Sequence, residues 1–331
     1  MNLISIIVPV YNNALSLPDL LLKFQELASR NENDQFEFLF IDDGSYDNSL
    51  NVLLSLAQHE SRIRIIKLSR NFGSNSALLA GLAQARGDVI AAIAADLQDP
   101  PELIHDMLIH WRQGRKVVLA ARETRDDGFL TSLLSNTFYA LFRRFAIKTM
   151  PKKGFDFFLI DRQVCNLINS IQEKNVYLMG LILWLGFTPE IVYYHRRKRE
   201  KHYGRSMWTF TSKIKYFIDS FVAFTYFPVR AASVIGISLS VLGMIYALVV
   251  ILLRISFGFE AEGWASLMVV ILIISGTQML MIGILGEYLW RNLDETRKRP
   301  PFVIEHVFNG SMSQDLNIFS RSSKRRKKHA S

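Results

Sequence analysis

The chain has 331 residues, half of them hydrophobic, a net charge of +9 and a single cysteine. Lone Cys165 excludes an internal disulfide and points to a reducing compartment, and the apolar content leaves sequence over after one sizeable core is built. The charge suits nucleic acid, anionic lipid or a phosphorylated substrate, and gathers in the runs Arg196 to Lys201 and Lys324 to Lys328.

Leu3 to Val10 is apolar, too short for a signal-peptide core with its flanks, and closes on Pro9 and Asn12, so it reads as a buried strand. Strands are predicted at Ser5 to Val10, Phe36 to Asp42, Ile63 to Leu68, Val89 to Ala94 and Lys116 to Ala120. Helical periodicity fills the gaps at Leu17 to Ala28, Ser49 to His59, Asn75 to Ala85 and Pro101 to Trp111, with Ser16 and Asp47 as caps. This alternation predicts an α/β domain whose mostly parallel sheet is covered on both faces and binds ligands beyond the carboxyl ends of its strands.

Met207 to Phe227 sets Trp208, Phe210, Ile214, Phe217, Phe221 and Phe224 against Lys213, Lys215 and Asp219 at helical spacing. Helices lying in a membrane interface and an amphipathic helix on the soluble core both satisfy that pattern. Ala231 to Leu253 and Ala265 to Gly286 are uncharged and long enough to cross a hydrocarbon layer of ~30 Å. Lys213, Lys215 and Arg230 before the first span, and Arg291, Arg297, Lys298 and Arg299 after the second, put both termini on the cytoplasmic side. Trp264, Tyr288 and Trp290 occupy aromatic-belt positions. Gly236, Gly243, Gly276, Gly283 and Ser275 permit close helix approach, within a chain or in a homo-oligomer. The basic, Ser-rich stretch after Phe319 is expected to be disordered, and without a reading helix or aromatic platform it does not make a nucleic-acid binder.

The first strand ends in Pro9-Val10-Tyr11-Asn12-Asn13 and the second in Ile41-Asp42-Asp43-Gly44-Ser45-Tyr46-Asp47. Ser69-Arg70-Asn71-Phe72-Gly73 follows the third, and Ala95-Asp96-Leu97-Gln98-Asp99-Pro100-Pro101-Glu102 the fourth. An aspartate at a strand end can accept hydrogen bonds from a base or ribose, and Tyr11 offers an apolar face. Asp96 and Gln98 supply two hard oxygen ligands; the alternative is that Asp96 caps the helix beginning near Pro100. Together these segments, in this order, resemble glycosyltransferase family 2, and within it the polyisoprenyl-phosphate glycosyltransferases related to dolichol-phosphate mannose synthase. The resemblance spans about residues 3 to 300.

It implies a GT-A (Rossmann-like) catalytic domain over 1–205, interface helices over 206–229, two transmembrane helices within 230–290 and a cytoplasmic tail over 291–331. It further implies inverting transfer of one hexose, glucose as first choice, from a UDP-linked donor to an undecaprenyl or dolichyl phosphate at the inner face of the cell membrane. Pro9, Tyr11, Asn13, Asp42, Asp43 and Asp96 would bind the nucleotide sugar, and Asp96 and Gln98 would hold Mg2+ or Mn2+. Gly154-Phe155-Asp156-Phe157-Phe158-Leu159 resembles the segment carrying the family's base. A lipid phosphate, with a second pKa near ~6, needs little deprotonation, so Asp156 either orients a substrate or pairs structurally with an arginine.

Arg122 and Arg125 follow the fifth strand at its carboxyl end, and Arg197, Arg199, Arg205 and Ser206 lie in a run resembling the family's basic loop before the interface helices. Forked donors there would grip donor or acceptor phosphate, a role that competes with adhesion to an anionic surface. The chain departs from the pattern at Ala94, where the family has an acidic residue. That motivates a rival reading, a membrane scaffold that kept the fold without turnover. A processive synthase is excluded by the missing Gln-x-x-Arg-Trp segment and the small number of spans.

Overall fold

The computed structural model describes residues 1–123, 137, 139–171, 177–196, 224–225, 227–257 and 263–310, with the side chains of 254, 264–266 and 272 excepted. The chain divides into two compact units, residues 1–217 with 300–331, and residues 218–299.

The first unit is built on an eight-stranded sheet. Its strands are β1 (Leu3–Val10), β2 (Gln35–Asp42), β3 (Ile63–Leu68), β4 (Val89–Ala92), β5 (Val117–Arg122), β6 (Phe155–Asp161), β7 (Glu190–Tyr194) and β8 (Ile304–Asn309), in the order β7-β5-β6-β4-β1-β2-β3-β8. β1 runs parallel to β2 and β4, β2 to β3, and β5 to β7, while β6 and β8 are antiparallel to their neighbours. The central strands are near-continuous apolar runs because helices cover both of their faces. On one face Ile4, Ile6, Val8 and Val10 pack with Phe38 and Phe40 against Leu20 and Phe24 of α1 (Leu17–Ser29) and Ile104 and Met107 of α4 (Leu103–Arg112). On the other, α3 (Ser74–Gln84) comes so close that a Cβ on Gly81 would stand 2.4 Å from the Ile7 side chain. α2 (Ser49–His59), α5 (Arg162–Ser170) and α6 (Leu178–Trp184) complete the layers.

The predicted elements hold to within a residue or two at most ends. The N-cap residue of α2 is Asn48 in place of the expected Asp47, which sits one residue earlier and accepts the Ser49 amide on Oδ1 at 2.9 Å. Ser16 stands at the N-cap of α1, but its hydroxyl caps nothing; it donates instead to the Ala95 carbonyl at 2.7 Å and to the Asn13 carbonyl at 3.1 Å. β8 lies inside the stretch read from sequence as tail. It pairs with β3, secured by Lys67 to Glu305 at 2.6 Å, the Ser69 amide to the Val303 carbonyl at 3.0 Å, and a buried Phe308.

The second unit contains α7 (Phe227–Phe257) and α8 (Trp264–Thr296), of 31 and 33 residues. Both are long and apolar enough to cross a membrane, and the spanning windows are wholly unburied, unlike the core helix of a soluble domain. A Cβ on Gly236 would meet Met281 at 3.2 Å, whereas Gly243, Gly276 and Gly283 face open space. Ahead of α7, the Thr225 carbonyl accepts a hydrogen bond from the Tyr288 hydroxyl at 2.9 Å. The amphipathic stretch 207–223, residue 226 and the tail beyond 310 lie outside the described residues.

Candidate active site

Parallel strands place their carboxyl ends on one edge of the sheet, and the loops leaving β1, β2, β3 and β4 are cross-linked there. The loop after β1 is the hub. Asn12, held at φ +56° as asparagine tolerates, donates its amide to Ser45 Oγ at 3.1 Å and accepts the Tyr46 amide on Oδ1 at 2.9 Å. The Asn13 amide donates to Ser49 Oγ at 2.8 Å, and the Asn13 side chain accepts the Tyr11 amide at 3.1 Å. The Ser16 hydroxyl carries the connection on to Ala95, the residue before Asp96.

The loop after β2 is held just as closely. Asp42, 1% exposed, accepts the Ser45 amide at 3.2 Å, and burial raises its pKa against that bond. Asp43 accepts the Phe72 amide at 2.7 Å on one oxygen and the Gly73 amide at 2.9 Å on the other, clamping the segment after β3. Gly44 makes the approach possible: at φ +70°, a Cβ would lie 2.7 Å from the backbone of Arg70 and Asn71. With both carboxylates turned inward, the surface at this edge is aromatic, with Tyr46 85% exposed and packed edge-on to Tyr11 at 6.3 Å.

Burial pushes the Asp43 carboxyl up to about 6 from the usual 3.8, although the two amide donors favour its ionised form. The folded state therefore holds the proton more tightly than the unfolded chain. The stability this lends is fully present below about pH 4 and is lost as pH rises toward 6. Asp43→Asn, which cannot ionise, should flatten the dependence of Tm on pH between about 4 and 6; a melting series in matched buffers checks this, and an unchanged slope would assign it elsewhere.

Beyond β4, Leu97 is forced to φ +57°, which for a leucine costs ~1–3 kcal/mol and persists only where surrounding structure imposes it. The turn brings the Gln98 amide to Asp96 Oδ1 at 3.3 Å, with both side chains half-buried. Asp96 does not cap α4, whose N-cap residue is Glu102. Among the described residues no three His, Cys, Asp or Glu side chains gather closely enough to hold a metal ion. One carboxylate and one amide oxygen therefore suit a hard divalent cation only if it keeps waters or takes its other ligands from a diphosphate.

A second cluster lies at the same edge, where β5 and β7 end and β6 begins. Arg122 stands opposite Tyr194 in register and is ion-paired with Asp156. The expected arginine partnership of Asp156 is thus present, but its side chain is 56% exposed, so this is no buried structural carboxylate. Arg122 itself is buried; burial opposes its charge, yet Asp156 and Asp99 raise its pKa above the usual arginine value. Asp99 lies beneath, 1% exposed, accepting the Tyr194 hydroxyl at 2.5 Å with Arg196 Nε 3.2 Å away.

Pro9, Tyr11, Asn13, Asp42, Asp43, Asp96, Gln98, Arg122 and Asp156 all fall at or beside this carboxyl edge. Arg125, Arg197, Arg199, Arg205 and Ser206 lie outside the described residues. Sequence reasoning passed over Asp99 as a site residue, although it sits within the quoted motif, and Tyr194, which ends an apolar strand and gives no local signal.

The fold is a mostly parallel α/β sheet with acidic loops collected at its carboxyl edge, and the family match makes its class a glycosyltransferase. The family model described as glycosyl transferase family 2 matches residues 5–169, and the chain belongs to that family. It is 35% identical over 305 residues, 92% of this chain and 94% of the other, to the uncharacterized glycosyltransferase YkcC of Bacillus subtilis (strain 168). It is 35% identical over 312 residues, 92% and 99% of the two chains, to the prophage bactoprenol glucosyl transferase homolog of Escherichia coli (strain K12). To the bactoprenol glucosyl transferase of Shigella phage SfII it is 32% identical over 316 residues, 93% and 99% of the two chains.

Proposed function

We propose that this glycosyltransferase moves one hexose, glucose first among the candidates, from a UDP-linked donor to a polyprenyl phosphate at the cytoplasmic membrane face, with inversion. The observation that carries the reading is the extent of similarity to the bactoprenol glucosyl transferases: at 92% or more of the chain it takes in the two apolar helices as well as the sheet. Chain connectivity supports the topology. β7 and β8 belong to one sheet, so the segment between them, which includes α7 and α8, must leave and return on the same side of any bilayer it crosses.

The chemistry follows from the two clusters. Tyr11 and Tyr46 give a uracil ring an apolar wall, while the loops fixed by Asp42, Asp43 and Asn13 shape the ribose and diphosphate side. Asp96 and Gln98 would hold Mg2+ or Mn2+ against the diphosphate. That ion would supply positive charge to the oxygen released as the sugar leaves. An oxygen of the lipid phosphate forms the new bond to the anomeric carbon as the bond to the diphosphate breaks on the opposite face. Asp156, fixed by Arg122, orients the incoming group and need not take its proton, because a phosphate monoester is already largely deprotonated at neutral pH.

The test is incubation of detergent-purified full-length protein with Mg2+ or Mn2+, undecaprenyl phosphate and each of a panel of radiolabelled nucleotide sugars, then organic extraction. Label from UDP-glucose in the lipid phase is the expected result. Label from a different donor would correct the sugar, and no labelled lipid or hydrolysed donor from any sugar would favour the scaffold reading that Ala94 motivates.

A further inference from the structure

Asp99 is the least exposed carboxylate of the second cluster, and its place calls for a reason beyond stability. It lies at the carboxyl edge of the sheet, three residues after Asp96, on the stretch that Pro100 and Pro101 stiffen. One oxygen receives the Tyr194 hydroxyl and faces Arg196; the other is buried and has no hydrogen-bond partner among the described residues. Arg122 Nε is likewise buried and unpartnered. Such a group of desolvated ions is an inefficient way to stabilise a domain, since apolar side chains of similar volume commonly do as well or better. Its geometry is directional instead. Asp99, Tyr194 and Arg122 are all buried, at 1%, 6% and 8% exposed, whereas Asp156, ion-paired with Arg122, is more than half open to solvent.

We propose that Asp99 and Tyr194 are positioning residues of the transfer step, holding the buried Arg122 guanidinium so that it fixes the exposed Asp156 carboxylate in one place. An exposed aspartate alone samples several rotamers, and ordering it during each turnover would slow the step. Tied to a guanidinium that is itself buried, it is ordered beforehand. Burial, reinforced by the charge of Asp99, raises the pKa of Tyr194, so it stays a phenol and a hydrogen-bond donor at working pH. Asp99 also joins the two clusters, because the stretch that presents Asp96 and Gln98 continues directly into it.

This inference rests on the role given to Asp156 under the proposed function, and its test is read on the donor as well as on the lipid product. Tyr194→Phe is the decisive variant, since it removes one hydroxyl and keeps ring, charge and packing. The expected result is a fall in kcat of ~10-fold or more for both labelled lipid and the release of nucleoside diphosphate from the donor, with donor KM within about twofold. The protein should still fold, at a lowered melting temperature, since buried Asp99 loses a hydrogen-bond donor. Asp99→Asn should behave alike, and combining it with Tyr194→Phe should cost little more than the larger single effect. Should Asp99→Asn fail to fold, Tyr194→Phe alone decides. A folded Tyr194→Phe protein with normal kcat, or one whose loss lies wholly in donor KM, would overturn the inference. Wild-type protein that releases nucleoside diphosphate without labelling polyprenyl phosphate would retire the acceptor assignment while leaving the donor-side comparison of the variants intact.

Discussion

Asp96→Ala should reduce turnover by at least ~100-fold at any concentration of Mg2+ or Mn2+, while the protein keeps its fold. The magnitude is that of removing one pre-placed group that stabilises charge as it develops on a leaving oxygen. The fold should survive because little depends on this side chain: it is half-buried, and among the described residues its hydrogen bond is a long one, from the Gln98 amide at 3.3 Å. A change of that kind usually alters stability by under ~1 kcal/mol. Ala94 makes the effect larger, because where the family has a second acidic residue this chain supplies none to share the load. Initial rates across a titration of either cation, with melting curves on the same preparations, check the expectation. Activity near wild type would remove the cation role from Asp96, and activity restored by excess cation would reduce that role to one of affinity.

What could be read in the sequence was whatever local pattern encodes. The loops after β1, β2 and β4 announced themselves because each apolar run stops on polar residues, Tyr11 to Asn13, Asp42 to Asp47 and Asp96 to Asp99, and parallel strands bring such stops to one edge. What escaped depends on partners distant in the chain. β8 is six residues long and pairs with a strand some 240 positions earlier, as the Arg64 to Asn309 contact shows, so no window of sequence could find it. β6 gives no strand signal of its own, since its short apolar run around Asp156 fits helix or strand equally well. Ser16 looked like a cap because serine before a periodic segment is the usual signal; the Ala95 carbonyl, 79 residues away, took its hydroxyl instead. Asp99 and Tyr194 were invisible as a pair for the same reason, being 95 residues apart until the sheet joins them.

Asp156→Asn should lower kcat by ~10- to 100-fold and leave donor affinity within about threefold, a split that separates it from the residues proposed to bind the donor. Asparagine preserves volume but cannot form the ion pair, so Arg122 loses the partner that fixes the top of the cluster. The cost to stability should be small, because Asp156 is 56% exposed and solvent already screens the pair. The pH dependence then distinguishes its possible duties. A general base is replaceable by rising pH when the nucleophile can ionise unaided, so activity of the variant would recover toward alkaline conditions. A polyprenyl phosphate, with its second ionisation near ~6, is already ionised across about pH 7 to 9, and a carboxylate that orients should give a loss that is constant through that range. Donor binding by equilibrium dialysis and rates at saturating lipid phosphate supply both readouts. In the Asp156→Asn background, adding Tyr194→Phe should matter little, because the hydroxyl would then be holding a guanidinium that no longer holds anything else in place.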